Sequence, residues 1–226
     1  MAIYLKKFEN HTQYDTYING SGAILPNVSI CTTEGDVHYN PSTPPTPVET
    51  RVVAKFNVDD TSNPTQIGYY QYISGFSAIE IDGVVQPSVV SEYTFDTVGE
   101  HTVKYTLTDP TSIGQQAFES CSGLISIDIP NSVTSIDYGA FQDCGSLTSV
   151  TIGSGVTTIG NSAFWNNSSL DSVTIMTTTP PSICSDYCNF GGEMGMPTIF
   201  VPSDSVNAYK AASGWDIYAD NIEPIS

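Results

Sequence analysis

Positive charge is what this sequence has least of. Six Lys and Arg stand against 24 Asp and Glu in 226 residues, a formal net charge of −18. Between Tyr105 and Tyr209 there is no basic residue at all. Nucleic-acid binding draws its strength from clustered Lys and Arg that displace counterions, so no nucleic-acid partner is expected. The same charge repels anionic lipid and favours solubility at high copy number. Long apolar runs are missing too: no window approaches the ~18–20 apolar residues of a membrane crossing, so no membrane insertion is expected. The amino end, MAIYLKKFENHTQYDTY, holds an apolar stretch of about three residues, short of the roughly 7–15 in a secretory signal. If the natural start is here, the expectation is a route other than signal-directed secretion.

Cysteine is also scarce. Cys31, Cys121, Cys144, Cys184 and Cys188 are too few, and odd in number, for a disulfide-stapled fold, so packing must supply the core. Cys184 and Cys188 have the spacing of half a zinc site, but no second Cys or His pair follows; a disulfide between them stays open and no metal is assigned. The three histidines, His11, His38 and His101, are scattered over the first half, and neither G-x-S-x-G nor a phosphate-binding glycine loop is present. No catalytic residue and no cofactor is assigned, and the chain is read as not an enzyme. Asp59-Asp60 reads as a solvated turn, since no calcium-loop motif surrounds it. Carboxylate pairs for glycoside hydrolysis cannot be judged by counting, which keeps a glycan hydrolase as a distant alternative.

What is present is β patterning and a repeat, so the expected class is mainly β. Residues 1–42 contain a short helical candidate at Thr12–Ile18 and a β-hairpin candidate around Glu34-Gly35-Asp36. A Pro-rich linker spans 43–50. From 51 to 109 short alternating runs (VVAKFNV, IGYYQYI, AIEIDGVV, SEYTFDTV, HTVKYTL) predict an immunoglobulin-like β-sandwich.

From 110 to 226 a phrase recurs every 23 residues. AFESC, AFQDC and AFWNN begin at Ala117, Ala140 and Ala163, and the columns Ile113/Ile136/Ile159, Leu124/Leu147/Leu170, Ile127/Val150/Val173 and Ile129/Ile152/Ile175 keep the same spacing. One such unit cannot offset the entropy of ordering its ~23 residues at roughly 1–2 kcal/mol each, whereas stacked units bury each other's apolar columns. A short solenoid follows. A degenerate fourth unit, with Ile183 and a strand at Ile199–Val201, has lost its AF phrase. SDSVNAYKAASGW predicts a capping helix with Ser203 as N-cap, Gly214 as terminator, and Val206, Tyr209 and Ala212 on its buried face. The strand alternation puts Ile127 and Ile129 inside and Ser126, Asp128, Ser149, Thr151, Ser172 and Thr174 outside. The column Cys121/Cys144 allows a disulfide or metal, but a stacked ladder of small buried side chains explains it better.

The units IGQQAFESCSGLISIDIP, IDYGAFQDCGSLTSVTIG and IGNSAFWNNSSLDSVTIM resemble the BspA-like leucine-rich-repeat family, over residues 111–226. The resemblance implies a non-catalytic surface or secreted protein that adheres to host proteins or cells. The stretch ILPNVSICTTEGDVHYNP with its Pro-rich linker is similar to the openings of phage virion proteins. Together these imply a virion-associated structural protein, of head or tail fibre type, in which residues 1–42 dock to a virion protein and the repeats meet a host-surface protein or glycan. The alternative location is the bacterial cell surface, as a BspA-type adhesin. A symmetric homo-oligomer is open, although no heptads support it. The candidate binding residues are Tyr138, Trp165, Tyr187, Phe190, Met194 and Met196, aromatic or Met side chains at variable positions that offer apolar area to a partner or cover the irregular fourth unit. The cluster Tyr69, Tyr70 and Tyr72 is similarly ambiguous.

Overall fold

The computed structural model describes residues 51–183, 190–191 and 195–225. The expected amino-terminal hairpin and helix, the linker, Cys31, Cys184, Cys188, Tyr187 and Met194 lie outside the described residues. The chain divides into two units, 1–46 and 47–226, and every described residue belongs to the second.

Nine strands form the main sheet. Five come from successive coils: β8 (Leu124–Ile129), β10 (Ser149–Ile152), β13 (Ser172–Ile175), β15 (Thr198–Val201) and β16 (Ile222–Pro224), all parallel neighbours in that order. Their register aligns Ile127, Val150, Val173, Ile199 and Ile222 as one inward column. The 23-residue spacing therefore works as a pairing register, because each coil returns the chain to the same strand one ladder step away. On a second face of the coil run the short strands β7 (Ser112–Ile113), β9 (Ser135–Ile136) and β11 (Thr158–Ile159), with Ser182 bridging next.

Each AF phrase forms the third side. Gln116, Gly139 and Ser162 take left-handed φ of 53°, 61° and 57°, and Ser120, Asp143 and Asn166 take 60°, 59° and 58°. Two left-handed positions thus bracket every Ala-Phe pair, and the turn between them drives Phe into the coil. Phe118, Phe141 and Phe164 stack at centroid spacings of 5.1 and 5.0 Å. The next ring is Phe190, 5.2 Å beyond Phe164, on β14 (Phe190–Gly191), which pairs with β12 (Phe164–Trp165). The fourth coil has therefore kept its Phe. Its inward strand residue Ile199 lies nine positions later, the Phe-to-strand interval of the other coils, and three extra residues before Phe190 hide the match.

Both ends of this aromatic spine are covered. At the amino side Phe76 and Tyr105 pack on Phe118 at 5.2 and 4.9 Å, and Tyr105 Oη donates to Ile67 O at 2.6 Å. At the carboxyl side Trp215 and Tyr218 pack on Phe190, each at 5.8 Å, and Trp215 Nε1 donates to Pro181 O at 2.7 Å. Each of these large rings stabilises by roughly 1.5–3 kcal/mol on burial, with about 0.5–1.5 kcal/mol more per ring pair.

Residues 51–109 are β structure, but not as a freestanding pair of sheets. β1 (Val52–Val58) pairs antiparallel with β8, β6 (Gly99–Leu107) pairs with β1, β3 (Phe76–Ile81) with β6, and β4 (Val84–Val85) closes the edge. All four extend the repeats' own sheet. The only other strand pairing described between 51 and 109 is β2 (Thr65–Gln66) with β5 (Glu92–Tyr93). Two antiparallel steps make β6 run in the direction of β8, so β6 keeps a repeat strand's polarity with β1 wedged between. Alternation predicts a half-buried strand correctly, yet it carries no information about which body the buried face meets. The run IGYYQYI, also expected as a strand, forms a turn at Tyr69–Tyr72 followed by a 3₁₀ turn at Ile73–Gly75.

The expected capping helix is shorter than its sequence signal. Ser203–Ser205 is 3₁₀, α1 spans Val206–Ala211, and Asp216–Asn221 is again 3₁₀. Ser203 is not the N-cap; its Oγ donates instead to Ile225 O at 3.3 Å, across to the strand β16. Tyr209 is buried, with Val206 and Ala212 partly buried beside the core, as the face requires.

Candidate binding face

The turns that carry the AF phrases line up side chains in columns. Backbone N–H groups of Gln116, Phe118 and Ser120 donate to Tyr138, Ala140 and Gln142 O, and those of Gly139, Phe141 and Asp143 donate to Asn161, Ala163 and Trp165 O. This ladder puts Gln115, Tyr138 and Asn161 in one column and Glu119, Gln142 and Trp165 in another, with Gln116, Gly139 and Ser162 between. Gly139 suits that middle place: its φ is left-handed, and a Cβ there would lie 3.2 Å from Gln116 Cγ and 3.4 Å from Gln142 Oε1. The two glutamines close over its bare Cα.

Tyr138 and Trp165 both project from this face, 49% and 37% exposed. The amides between them are pinned. Gln116 Nε2 donates to Glu119 Oε2 at 2.6 Å, Gln142 Nε2 to Asp143 Oδ2 at 3.0 Å, and Asn166 Nδ2 to Asp143 Oδ1 at 2.7 Å. On the amino side the tyrosine cluster joins the same face: Tyr69 N donates to Ala117 O at 3.0 Å, and Gln115 Nε2 donates to Tyr72 Oη at 3.4 Å. Tyr69 stacks on Tyr72 at 5.9 Å, and Tyr70 is 65% exposed.

The other candidates divide. Phe190, expected either to meet a partner or to cover the irregular fourth unit, is 2% exposed and belongs to the spine. Met196 is exposed, beyond the columns of the turns. The pinned glutamines and Asn161 were not singled out by the sequence. Their signal was available, because they occupy the variable positions flanking a constant Ala-Phe pair.

Two other surfaces offer less. The outer face of the sheet carries Ser126, Ser149, Ser172 and Thr198 in one row and Asp128, Thr151, Thr174 and Phe200 in the next, with the single ring of Phe200. On its amino-terminal strands Lys55 pairs with Glu100 and Arg51 with Glu80, both at 2.8 Å. A polar groove of about 570 Å³ lies between the 57–66 loop and the first coils, walled by Asp59, Asp60, Glu92, Ser122 and Ser146. Asp60 is already engaged: it accepts from Ser62 N, Ser62 Oγ and Asn63 Nδ2, and the Ser62 hydroxyl and backbone hydrogen bonds hold its carboxyl below the ordinary range. Among the described residues no three His, Cys, Asp or Glu side chains converge to hold a metal.

The cysteine column is structural. Cys121 and Cys144 are free thiols, both buried; burial pushes Cys121 well up and Cys144 up to about 12. Cys144 Sγ donates to Phe118 O at 3.0 Å. In the third coil Asn167 takes over, donating from Nδ2 to Phe141 O and Phe164 O and accepting Cys144 N–H at Oδ1.

Six copies of the BspA type leucine rich repeat region match the sequence, over residues 87–204. The chain belongs to that family. Among curated proteins no relative matches. The match opens at residue 87, upstream of the expected start at 111, and so takes in β5 and β6. Repeats of this kind are typically binding or scaffolding regions, not enzymes.

Proposed function

We propose that the protein is a non-catalytic adhesive display protein whose partner is met by the face formed by the AF turns. The observation that carries this is the exposure of Tyr138 and Trp165 on coils whose other aromatic residues are packed. Neither ring contributes to the spine, and a solenoid needs neither to stack. Polar residues at those two positions, as in the column-mates Gln115, Asn161, Glu119 and Gln142, would fold as well. Family membership supports the same reading, since binding is the typical work of such repeats.

Within that reading we place the protein on a phage particle, with residues 1–42 docking to the virion and residues 51–109, immunoglobulin-like in their alternation, acting as cap and spacer. What supports this is the likeness of the amino-terminal stretch to virion proteins. Mass spectrometry of purified virions beside surface-shaved cells tests the location: recovery from virions, lost on deleting residues 1–42, is expected. Recovery from shaved cells alone would move the protein to the bacterial surface as a BspA-type adhesin, the second reading, which family membership supports equally. The adhesive claim is tested separately by attachment of labelled protein to host cells, which Tyr138→Ala with Trp165→Ala should reduce at least tenfold.

A further inference from the structure

We infer that the AF-turn face is a recognition strip for neutral oligosaccharides. The inference rests on the adhesive reading and narrows it to one ligand class. Three properties of the face select that class. Along the coils its rings stand apart: past the Tyr69, Tyr70 and Tyr72 cluster at the amino-terminal end, Tyr138 and Trp165 follow over three coil steps, roughly 15 Å at ~4.8 Å per ladder step, with hydrogen-bonding side chains between them. A protein partner would need a contiguous apolar centre, which the coils bearing Tyr138 and Trp165 do not provide; the clustered tyrosines lie at one end of the strip. Separate rings interleaved with hydrogen-bonding groups instead match a chain of sugar rings, each with an apolar C–H face and a rim of hydroxyls. An aromatic ring covers the first, and its polar neighbours satisfy the second.

The polar neighbours are held ready. Gln116 is fixed by Glu119, and Gln142 by Asp143, so each carboxamide keeps one orientation over Gly139 before any ligand arrives. Fixed amides spare a ligand the cost of ordering them; Gln116 Oε1 already accepts from Gln115 Nε2 at 3.0 Å, so the second N–H of each carboxamide and the Oε1 of Gln142 are what vicinal hydroxyls would meet. Charge then decides among sugars. No Lys or Arg lies between Tyr105 and Tyr209, while Glu119, Asp137 and Asp143 lie along the strip. Sulfated, sialylated or uronic-acid glycans would meet carboxylates with no cation to pair, so the strip selects uncharged chains.

The two tryptophans make the test direct, because Trp215 is fully buried and Trp165 is exposed. The full-length protein is titrated with maltohexaose, cellohexaose, mannohexaose and N-acetylated chitohexaose, with a heparin hexasaccharide and decalysine as charged controls, following tryptophan emission and calorimetry. At least one neutral hexaose should bind saturably, shift the emission, and hold its affinity within twofold between 50 and 500 mM salt. Tyr138→Ala and Trp165→Ala should each weaken that binding at least tenfold with the unfolding midpoint unchanged. Trp165→Phe should restore most of it, and Thr151→Ala on the sheet should leave it intact. Binding of decalysine alone, binding of the heparin fragment, survival of glycan binding in both alanine variants, or no neutral glycan binding would each overturn the inference. If host-cell attachment is lost in Tyr138→Ala/Trp165→Ala while no neutral hexaose binds, the adhesive reading stands and the glycan assignment falls.

Discussion

The ring of Phe118 lies on the ring of Phe141 with 5.1 Å between centroids and 10° between planes. Repeated down the coils, that contact joins the amino-terminal cap at Phe76 and Tyr105 to the carboxyl-terminal cap at Trp215 and Tyr218. Phe141 sits mid-spine with a ring on each face and is fully buried. Phe141→Ala should therefore cost about 3–5 kcal/mol, the range for a large buried side chain that leaves a cavity. Urea unfolding checks it, and a loss below about 1 kcal/mol would show that neighbouring coils collapse into the gap.

A polar group carries part of the same stack. Asn167 replaces the cysteine of the first two coils and makes three buried hydrogen bonds, to Phe141 O, Phe164 O and from Cys144 N–H. Asn167→Ala removes them all and leaves buried backbone groups without partners, at about 1–3 kcal/mol for each. A loss of at least about 2 kcal/mol is expected. Asn167→Cys, the residue of the neighbouring coils, should lose less, because a thiol donates to one of the two carbonyls. Parallel denaturant titrations of the two variants give the comparison.

How much of this is legible in the sequence depends on which interactions repeat. The Ile and Phe columns could be read because every coil needs the same inward residues at the same interval. Phe190 escaped because three inserted residues broke the count forward, although counting nine back from Ile199 would have found it. β16 escaped similarly: Ile222 stands 23 residues after Ile199 and completes a fifth strand, but the helix signal in between drew the reading toward a cap. The union of β1 with β8 was not legible at all, because strand alternation records burial without naming the neighbour. The binding face was half legible. Tyr138 and Trp165 stood out as rings in variable columns, whereas the glutamines occupy variable positions too but differ from ordinary solvated side chains only through their partners Glu119 and Asp143.

Close approach between coils requires glycine at Gly153, Gly155 and Gly160, and left-handed backbone strains Ser162. A Cβ on Gly155 would lie 2.1 Å from Asn131 O of the coil before, so Gly155→Ala must push two stacked coils apart. Overpacking of this kind costs about 1–3 kcal/mol, and more where backbone cannot yield. Ser162 is the converse, an L-residue at φ 57° in the column where Gly139 stands one coil earlier. Ser162→Gly relieves that conformation at some cost in unfolded-chain entropy, and should raise stability by up to about 1 kcal/mol. Thermal melts of the pair should move in opposite directions.

The amino-terminal cap contains a titrating clasp. Ile81-Asp82-Gly83-Val84 is the β3–β4 turn, with φ of 47° at Asp82 and 83° at Gly83, the left-handed pair that a tight hairpin prefers. Asp82 Oδ2 lies 2.7 Å from His101 Nδ1, and His101 Nε2 lies 2.8 Å from Thr97 O, so both ring nitrogens face acceptors. Burial lowers the His101 pKa, but the Asp82 carboxylate and the Thr97 carbonyl outweigh it and the net shift is upward. Burial likewise raises Asp82, and its bonds to His101 and Thr102 N outweigh that to bring it down. A raised histidine pKa contributes stability that is complete below its ordinary value near 6.5 and is lost as pH rises through the folded value. The lowered Asp82 pKa contributes stability present above 3.8 and lost as pH falls through its folded value. The clasp is therefore strongest at mildly acidic pH and weakens on the alkaline side. Asn tolerates left-handed backbone, so Asp82→Asn keeps the turn while removing the charge. Urea midpoints at pH 5.5 and 8.5 should differ in the native protein, higher at pH 5.5, and that difference should shrink or change sign in Asp82→Asn, where burial of His101 is opposed by the Thr97 carbonyl alone; an unchanged slope would place the titration elsewhere.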